Sequence, residues 1–131
     1  MKIAVTAAGN DLDSQVDPRF GRCQQFIIID SETNDIQVLK NPNAGLSGGA
    51  GVQTAQLLAD KKIDVVLTGN VGPNAIRTLN AAGIKVYTGI QGTVGDSVNM
   101  FKEGKLTEAS QPTVDSHFGM GRGGRGRNNK F

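Results

Sequence analysis

The chain alternates short apolar runs with polar or glycine-bearing segments over its first 110 residues. Apolar runs at residues 2–8, 26–30, 36–40, 64–68 and 84–87 have the length and β-branched content of strands. Only a short polar turn separates the second run from the third, which predicts an antiparallel hairpin. The run at 64–68 is continuously apolar, as is typical of a strand buried on both faces of a parallel sheet.

Three later stretches carry apolar residues at helical spacing instead. Pro73 predicts the start of the second helix and Gly83 its end. Thr93 is placed to cap the third helix, with Asp96 three residues later in the manner of a capping box, and Gly104 ends it. The apolar helical positions are Val52, Ala55, Leu58, Ala59 and Ile63, then Ala75, Ile76, Leu79 and Ala82, then Val94, Val98 and Phe101.

This order, β-β-β-α-β-α-β-α, predicts an α/β fold with a mixed five-stranded sheet and helices on both faces. A chain of 131 residues has room for one hydrophobic core. We therefore expect a single domain over residues 1–115. Residues 116–131 are rich in glycine and arginine and are expected to be a disordered tail.

Open sheets of this class bind ligands beyond the carboxyl ends of their parallel strands. Here that edge is expected to gather residues 8–10, 68–72 and 88–89. Two of these turns lead into helix N-termini, whose unpaired N–H groups and positive dipole ends favour anions.

The net charge of +2 is distributed unevenly. Residues 1–115 hold ten Lys or Arg and twelve Asp or Glu, whereas residues 116–131 hold four cations and no acid. A nucleic-acid face on the body is therefore not indicated. The run 122–127 resembles a short RNA-binding Arg-Gly stretch, but only Phe118 and Phe131 could stack on bases near it, so no nucleic-acid partner is expected.

One cysteine cannot form an internal disulfide, and the first residues lead directly into a strand. The longest apolar runs are far too short to cross a membrane. We expect a cytoplasmic protein.

Enzyme signatures are missing from the sequence. His117 is the one histidine, and neither an HExxH nor a Cys-x-x-Cys motif is present. Asp11, Asp13 and Asp17 could hold a divalent cation, but hydrated loop aspartates are commoner. Non-enzymatic binding is the expected function.

The segment 17–23, Asp-Pro-Arg-Phe-Gly-Arg-Cys, concentrates the candidate chemistry. Arg19 and Arg22 could hold an anion, and Cys23 could ligate metal, because nearby positive charge favours the thiolate. Phe20 and Gly21 complete this candidate site. The alternative is two solvated arginines beside a small buried thiol, since cysteine often serves as a small hydrophobe.

The turn 69–75 is the second candidate. Backbone N–H groups around Gly69, Asn70 and Gly72 could cradle an anion, although the turn lacks the lysine of a Walker motif. A plain glycine-rich connection from strand to helix explains the same residues.

Together these blocks resemble the dinitrogenase iron-molybdenum cofactor biosynthesis family. The matching residues are 1–5, 16–23 and 68–75, and the resemblance covers about residues 1–110. It implies a ribonuclease-H-like sheet that binds or carries an anionic metal-sulfur cluster without turnover. The cluster would be iron-molybdenum cofactor or, as in the orange-protein-like members from anaerobes, a molybdenum-copper sulfide held without strong covalent ligation.

The resemblance also implies cluster donor and acceptor proteins as partners. This chain departs from the family in lacking the histidine that some carriers place near the arginine block, because His117 lies far away in sequence.

Two other functions stay open. A ribonuclease-H-like nuclease would need carboxylates on its central strands to hold two metals, and the first strand has none. A protein-interaction module without a cluster would use the same fold, with the basic tail as a docking segment.

Overall fold

The computed structural model describes residues 1–113. The predicted tail at 116–131 lies outside the described residues. The strands are β1 (Lys2–Ala7), β2 (Gln25–Asp30), β3 (Ile36–Lys40), β4 (Val65–Leu67), β5 (Lys85–Tyr87) and β6 (Glu108–Ala109). The helices are α1 (Ala50–Asp60), α2 (Pro73–Ala81) and α3 (Val94–Lys102).

All six strands form one mixed sheet in the order β3-β2-β1-β4-β5-β6. β1, β4 and β5 are parallel, whereas β2, β3 and β6 each pair antiparallel with a neighbour. The predicted mixed α/β fold is confirmed, with one correction to its strand count. β6 was missed because two residues are too few for a periodic pattern, and only their pairing with β5 makes them a strand.

Helices cover both faces of the sheet, as predicted. Phe26 and Ile28 of β2 point into a cluster with residues of α1 and α2. Ile27 and Ile29, the alternate residues of the same strand, point into a second cluster with Val94 and Val98 of α3. Because successive side chains of a strand point to opposite faces, β2 contributes residues to both hydrophobic clusters.

The predicted boundaries of the second and third helices are confirmed, whereas α1 ends at Asp60, so Ile63, expected at a helical position, lies beyond it. α2 begins at Pro73, and Gly83 follows it with a φ of +77°, a conformation that favours glycine. At α3, Thr93 Oγ1 accepts a hydrogen bond from the Asp96 N–H at 3.1 Å. Among residues 1–113, no helix combines the length and the hydropathy needed to cross a bilayer.

The long connection from β1 to β2 is packed across the carboxyl end of the sheet. The Asp17 N–H donates to the Thr6 carbonyl and the Val16 N–H to the Gly92 carbonyl, each at 2.9 Å. Val16 and Phe20 are buried. These contacts hold the segment 17–23 against the end of β1.

Candidate functional site

The two candidate segments meet at the carboxyl ends of β1 and β4, which are parallel neighbours. Arg19 and Asn70 form an isolated parallel bridge. The Asn70 N–H donates to the Pro18 carbonyl at 2.8 Å, and Asn70 Nδ2 lies 3.4 Å from the same oxygen. On the other side of this turn, the Gly89 N–H donates to the Gly69 carbonyl at 2.8 Å. The structure thus brings 17–23, 68–72 and 88–89 to one edge.

Two glycines permit this close assembly. A Cβ on Gly69 would lie 2.6 Å from Pro18 Cα, and a Cβ on Gly21 would lie 2.8 Å from both Cα and N of Gly51 in α1. Backbone atoms cannot move aside as a flexible side chain can. Gly69 and Gly21 are therefore required by packing, which the sequence alone did not distinguish from a role in ligand approach.

The N-termini of α1 and α2 converge beside Gly21. A Cβ on Gly51 would lie 3.1 Å from Ala75 Cβ, so the first turns of both helices touch. The N-caps are Gly49 and Gly72, neither helix has a side-chain cap, and neither has an acid in its first turn. Two positive dipole ends thus lie together with no carboxylate from their own first turns to offset them.

Arg19 is held by a buried carboxylate. Asp17, only 5 % exposed, accepts hydrogen bonds from Arg19 N at 2.9 Å and from Nε at 3.2 Å through Oδ1. Asp17 Oδ2 accepts from Nη2 at 3.3 Å. These hydrogen bonds raise the pKa of Arg19, burial opposes the rise, and the Asp17 charge adds to it. Asp17 therefore both orients the guanidinium and offsets its charge.

Arg22 has a different kind of partner. Its Nη1 donates to the backbone carbonyl of Ala44 at 3.2 Å and to that of Leu46. Within residues 1–113, no carboxylate lies in salt-bridge range of Arg22. Arg22 thus ties the glycine-rich loop before α1 to the site and keeps its positive charge uncompensated.

Phe20 and Cys23 point inward, into the core between the sheet and the helices α1 and α2. The Phe20 ring packs edge-on against Phe26 with centroids 5.8 Å apart. Cys23 is fully buried, and its thiol donates to the Phe20 carbonyl at 3.2 Å. These two side chains anchor the segment that carries the arginines.

Burial raises the pKa of the Cys23 thiol to about 12, with the Asp17 charge adding to the rise, while Asn41 and Arg19 oppose it. The thiol is therefore protonated near neutral pH. The charge of Arg19 opposes the rise, as expected, but desolvation outweighs it, so the thiol is not activated. Metal ligation by Cys23 stays a prediction, and its burial opposes it.

Two residues that the sequence analysis did not single out support the backbone of this segment through hydrogen bonds. Asn41, which is buried, donates through Nδ2 to the carbonyls of Gly21 at 3.1 Å and Cys23 at 2.9 Å. Thr54 Oγ1 donates to Asn41 Oδ1 at 3.3 Å. Thr54 could have been found from the sequence, because it is a polar residue on the apolar side of a helix. Asn41 could not, because beside Pro42 it resembles an ordinary turn residue.

The loop aspartates do not assemble into a metal site. Asp11 accepts hydrogen bonds from the Asp13 N–H at 3.0 Å and from Ser14 Oγ at 3.2 Å, whereas Asp17 is paired with Arg19. Within the described part of the chain, no group of three or more His, Cys, Asp or Glu side chains could hold a metal ion. Nothing in that part resembles the carboxylate cluster of a two-metal nuclease.

Comparison with known proteins assigns the chain to a family. The sequence model of the dinitrogenase iron-molybdenum cofactor family matches residues 1–104. The chain belongs to this family. The resemblance noted from residues 1–5, 16–23 and 68–75 is confirmed.

Two solved structures and one relative identified by sequence support the assignment. The apo form of the orange protein from Desulfovibrio gigas is 43 % identical, with a TM-score of 0.84 over 86 % of this chain and 96 % of that one. A protein from Thermotoga proposed to be NifB is 39 % identical, with a TM-score of 0.76 over 86 % and 97 % of the two chains. An uncharacterized protein of Methanocaldococcus jannaschii is 31 % identical over 81 % of this chain and 89 % of its own length. The fold is thus that of the orange protein.

Proposed function

We propose that this protein binds and carries an anionic metal-sulfur cluster, of the iron-molybdenum cofactor or molybdenum-copper sulfide type, as cargo and without turnover. The observation that carries the proposal is the convergence of two uncapped helix N-termini with the Arg19–Asn70 junction. Family membership points the same way, because the family is named for the iron-molybdenum cofactor.

Each part of the edge has a role in this proposal. Arg22, whose charge has no carboxylate partner among the described residues, supplies charge-assisted hydrogen bonds to the cluster. Arg19 offers its remaining N–H groups in an orientation set by Asp17. The helix N-termini add N–H donors without adding side chains that would restrict access. Phe20 and Cys23 hold the segment in place from the core.

Such a site suits a carrier. Guanidinium and backbone N–H donors hold an anion without a covalent bond, so the cluster can be released intact to another protein. Cluster donor and acceptor proteins in the cytoplasm are the partners that this role requires.

Anaerobic reconstitution tests the proposal. The purified full-length protein is incubated with tetrathiomolybdate and copper, and separately with iron-molybdenum cofactor, and then desalted. We expect retained metal and a visible charge-transfer band in at least one case. Arg22→Gln should retain less metal than the wild type. Lys61→Gln, which removes an exposed charge at the far end of α1, is the matched control. Absence of both metal and band in both mixtures would overturn the proposal.

A further inference from the structure

The two lateral edges of the sheet are built differently. β6, at one edge, contains only two residues, whereas β3, at the other, contains five. Among residues 1–113, β3 pairs with β2 alone. It contains neither proline nor glycine, and its single charged residue, Lys40, lies at its end. Shortness protects β6 from pairing with another chain, but β3 lacks the protections that edge strands commonly carry.

The outer backbone groups of β3 belong to alternate residues. Hydrogen bonds to β2 lie just beyond both ends of β3, where the Asp35 carbonyl accepts from the Asp30 N–H at 3.0 Å and the Asn41 N–H donates to the Gln24 carbonyl at 2.9 Å. Because bonded and unbonded pairs alternate in an antiparallel ladder, the odd-numbered residues between them also bond to β2. The N–H and carbonyl groups that point away from the sheet are those of the even-numbered residues, Ile36, Val38 and Lys40.

The side chains of Ile36 and Val38 are exposed beside the core that α3 covers. Their partners in β2 are Ile29 and Ile27, which belong to the cluster packed on α3, so all four side chains lie on the same face of the sheet. Ile36 is 49 % exposed and Val38 is 39 % exposed. Exposed apolar side chains and outward backbone groups thus occur in the same two residues.

We propose that β3 pairs antiparallel with β3 of a second copy of this chain, which joins two sheets across a two-fold axis. With the axis at Gln37, Ile36 of each copy lies opposite the partner's Val38, and their outward N–H and carbonyl groups form the ladder. Four apolar side chains then cover one another on the α3 face. Lys40 lies opposite the partner's Asn34, so no like charges face each other.

A second copy is the occupant because the strand complements itself. One two-fold operation matches donors with acceptors and apolar side chains with apolar side chains on both strands. An axis at Val38 would instead set Ile36 against the partner's Lys40, and an axis at Lys40 would bring two cations together. Two five-residue strands bury less than the about 1,200 Å² of a standard interface, so the dimer is weak and reversible, with a Kd on the order of 100 µM.

The dimer leaves the candidate site open. β3 runs parallel to β1, since both pair antiparallel with β2, so its carboxyl end lies at the edge that carries the site. Antiparallel pairing of two β3 strands therefore places the two site edges at opposite ends of the joined sheet. The inference is independent of the proposed function, because it requires no bound cluster.

Sedimentation of the full-length protein tests self-association. Between about 10 µM and about 1 mM, the average mass should rise towards that of two chains. Val38→Lys should raise the Kd at least about tenfold, because it places a charge in the apolar cluster. Met100→Lys is the matched control, since Met100 is 40 % exposed on α3. A mass that does not change with concentration, or equal effects of the two variants, would overturn the inference.

Hydrogen exchange of the wild type tests the backbone pairing itself. In dilute solution, the amides of Gln37 and Leu39 should be protected by β2, whereas those of Ile36 and Val38 should exchange freely. At high protein concentration, exchange at Ile36 and Val38 should slow at least about threefold, with the other two unchanged. Slowing that is absent, or that is equal along the whole strand, would rule out strand pairing even if the protein self-associates.

Single cysteines test the register. In the proposed dimer the two Gln37 residues form a non-hydrogen-bonded pair, with Cα atoms about 4.5 Å apart, which suits a disulfide. With glutathione disulfide, Gln37→Cys should form linked dimers faster than Val38→Cys. The wild type is the control, since its Cys23 is buried. Faster linkage through Val38→Cys, or equal rates in the two variants, would overturn the proposed pairing.

Discussion

Segment 17–23 has two sides with opposite chemistry. Arg19 and Arg22 are partly exposed and have charged and backbone partners, whereas Phe20 and Cys23 are buried in the core. The thiol follows Arg22 directly in sequence, yet its pKa is raised instead of lowered, because desolvation outweighs the opposing effect of the Arg19 charge. Proximity in sequence therefore does not establish electrostatic activation; the side of the segment on which a residue lies decides its role.

The largest expected effect concerns the buried side of segment 17–23, and in particular the thiol of Cys23. The folded-state pKa of Cys23, about 12, lies above its ordinary value of 9.0, so folding favours the neutral thiol. The stability from this preference is complete below pH 9 and is lost as pH rises towards 12, by up to about 4 kcal/mol. In urea unfolding of the wild type and of Cys23→Ala between pH 7 and 11, the difference between their free energies of unfolding should decrease as the pH rises. A difference that stays constant would show that the thiol does not titrate in this way.

The next largest effect concerns the packing of the turn 68–72 against segment 17–23. Gly69→Ala would place a Cβ against the Pro18 backbone, so we expect a loss of about 2–3 kcal/mol. Gly45→Ala is the matched control, because a Cβ there would meet nothing within 4 Å. Its stability should change by less than about 1 kcal/mol. Equal melting temperatures for the two variants would mean that the turn relaxes freely away from Pro18.

A binding measurement then compares the two arginines of segment 17–23 with its buried thiol. Replacing both Arg19 and Arg22 with Gln should raise the Kd for tetrathiomolybdate by at least about tenfold, because charge-assisted hydrogen bonds are lost. Cys23→Ser should change it by less than about threefold, since the thiol is buried and protonated. Anaerobic titration followed by the visible spectrum measures both. The reverse order would restore Cys23 as the principal ligand.

The smallest effect concerns the support behind the segment. Thr54→Val removes the hydroxyl that donates to Asn41 Oδ1 and should cost about 1 kcal/mol. Thr54→Ser keeps the hydroxyl and is the control for the lost methyl group. Denaturant unfolding of both variants separates the two contributions. If the serine variant is the less stable one, packing outweighs the hydrogen bond.

Local signals predicted most of the fold. Helix starts at Pro73 and Thr93 follow from residue types that act within one turn, and the continuous apolar run of β4 reflects burial on both faces. The sheet edge was predicted to gather residues 8–10, 68–72 and 88–89, because carboxyl ends of neighbouring parallel strands share an edge. The structure places segment 17–23 against the turn 68–72 at that edge. β6 was missed because its two residues become a strand only through pairing with β5.

The sequence by itself therefore determined the types of all elements except β6, the edge that carries the candidate site and the residue types available there. Only the tertiary structure decided which groups are paired, buried or exposed. Asp17 offsets Arg19, Asn41 holds the backbone of Gly21, and the surrounding core keeps Cys23 protonated. These outcomes depend on desolvation and on contacts between distant parts of the chain, which no local pattern of residues encodes.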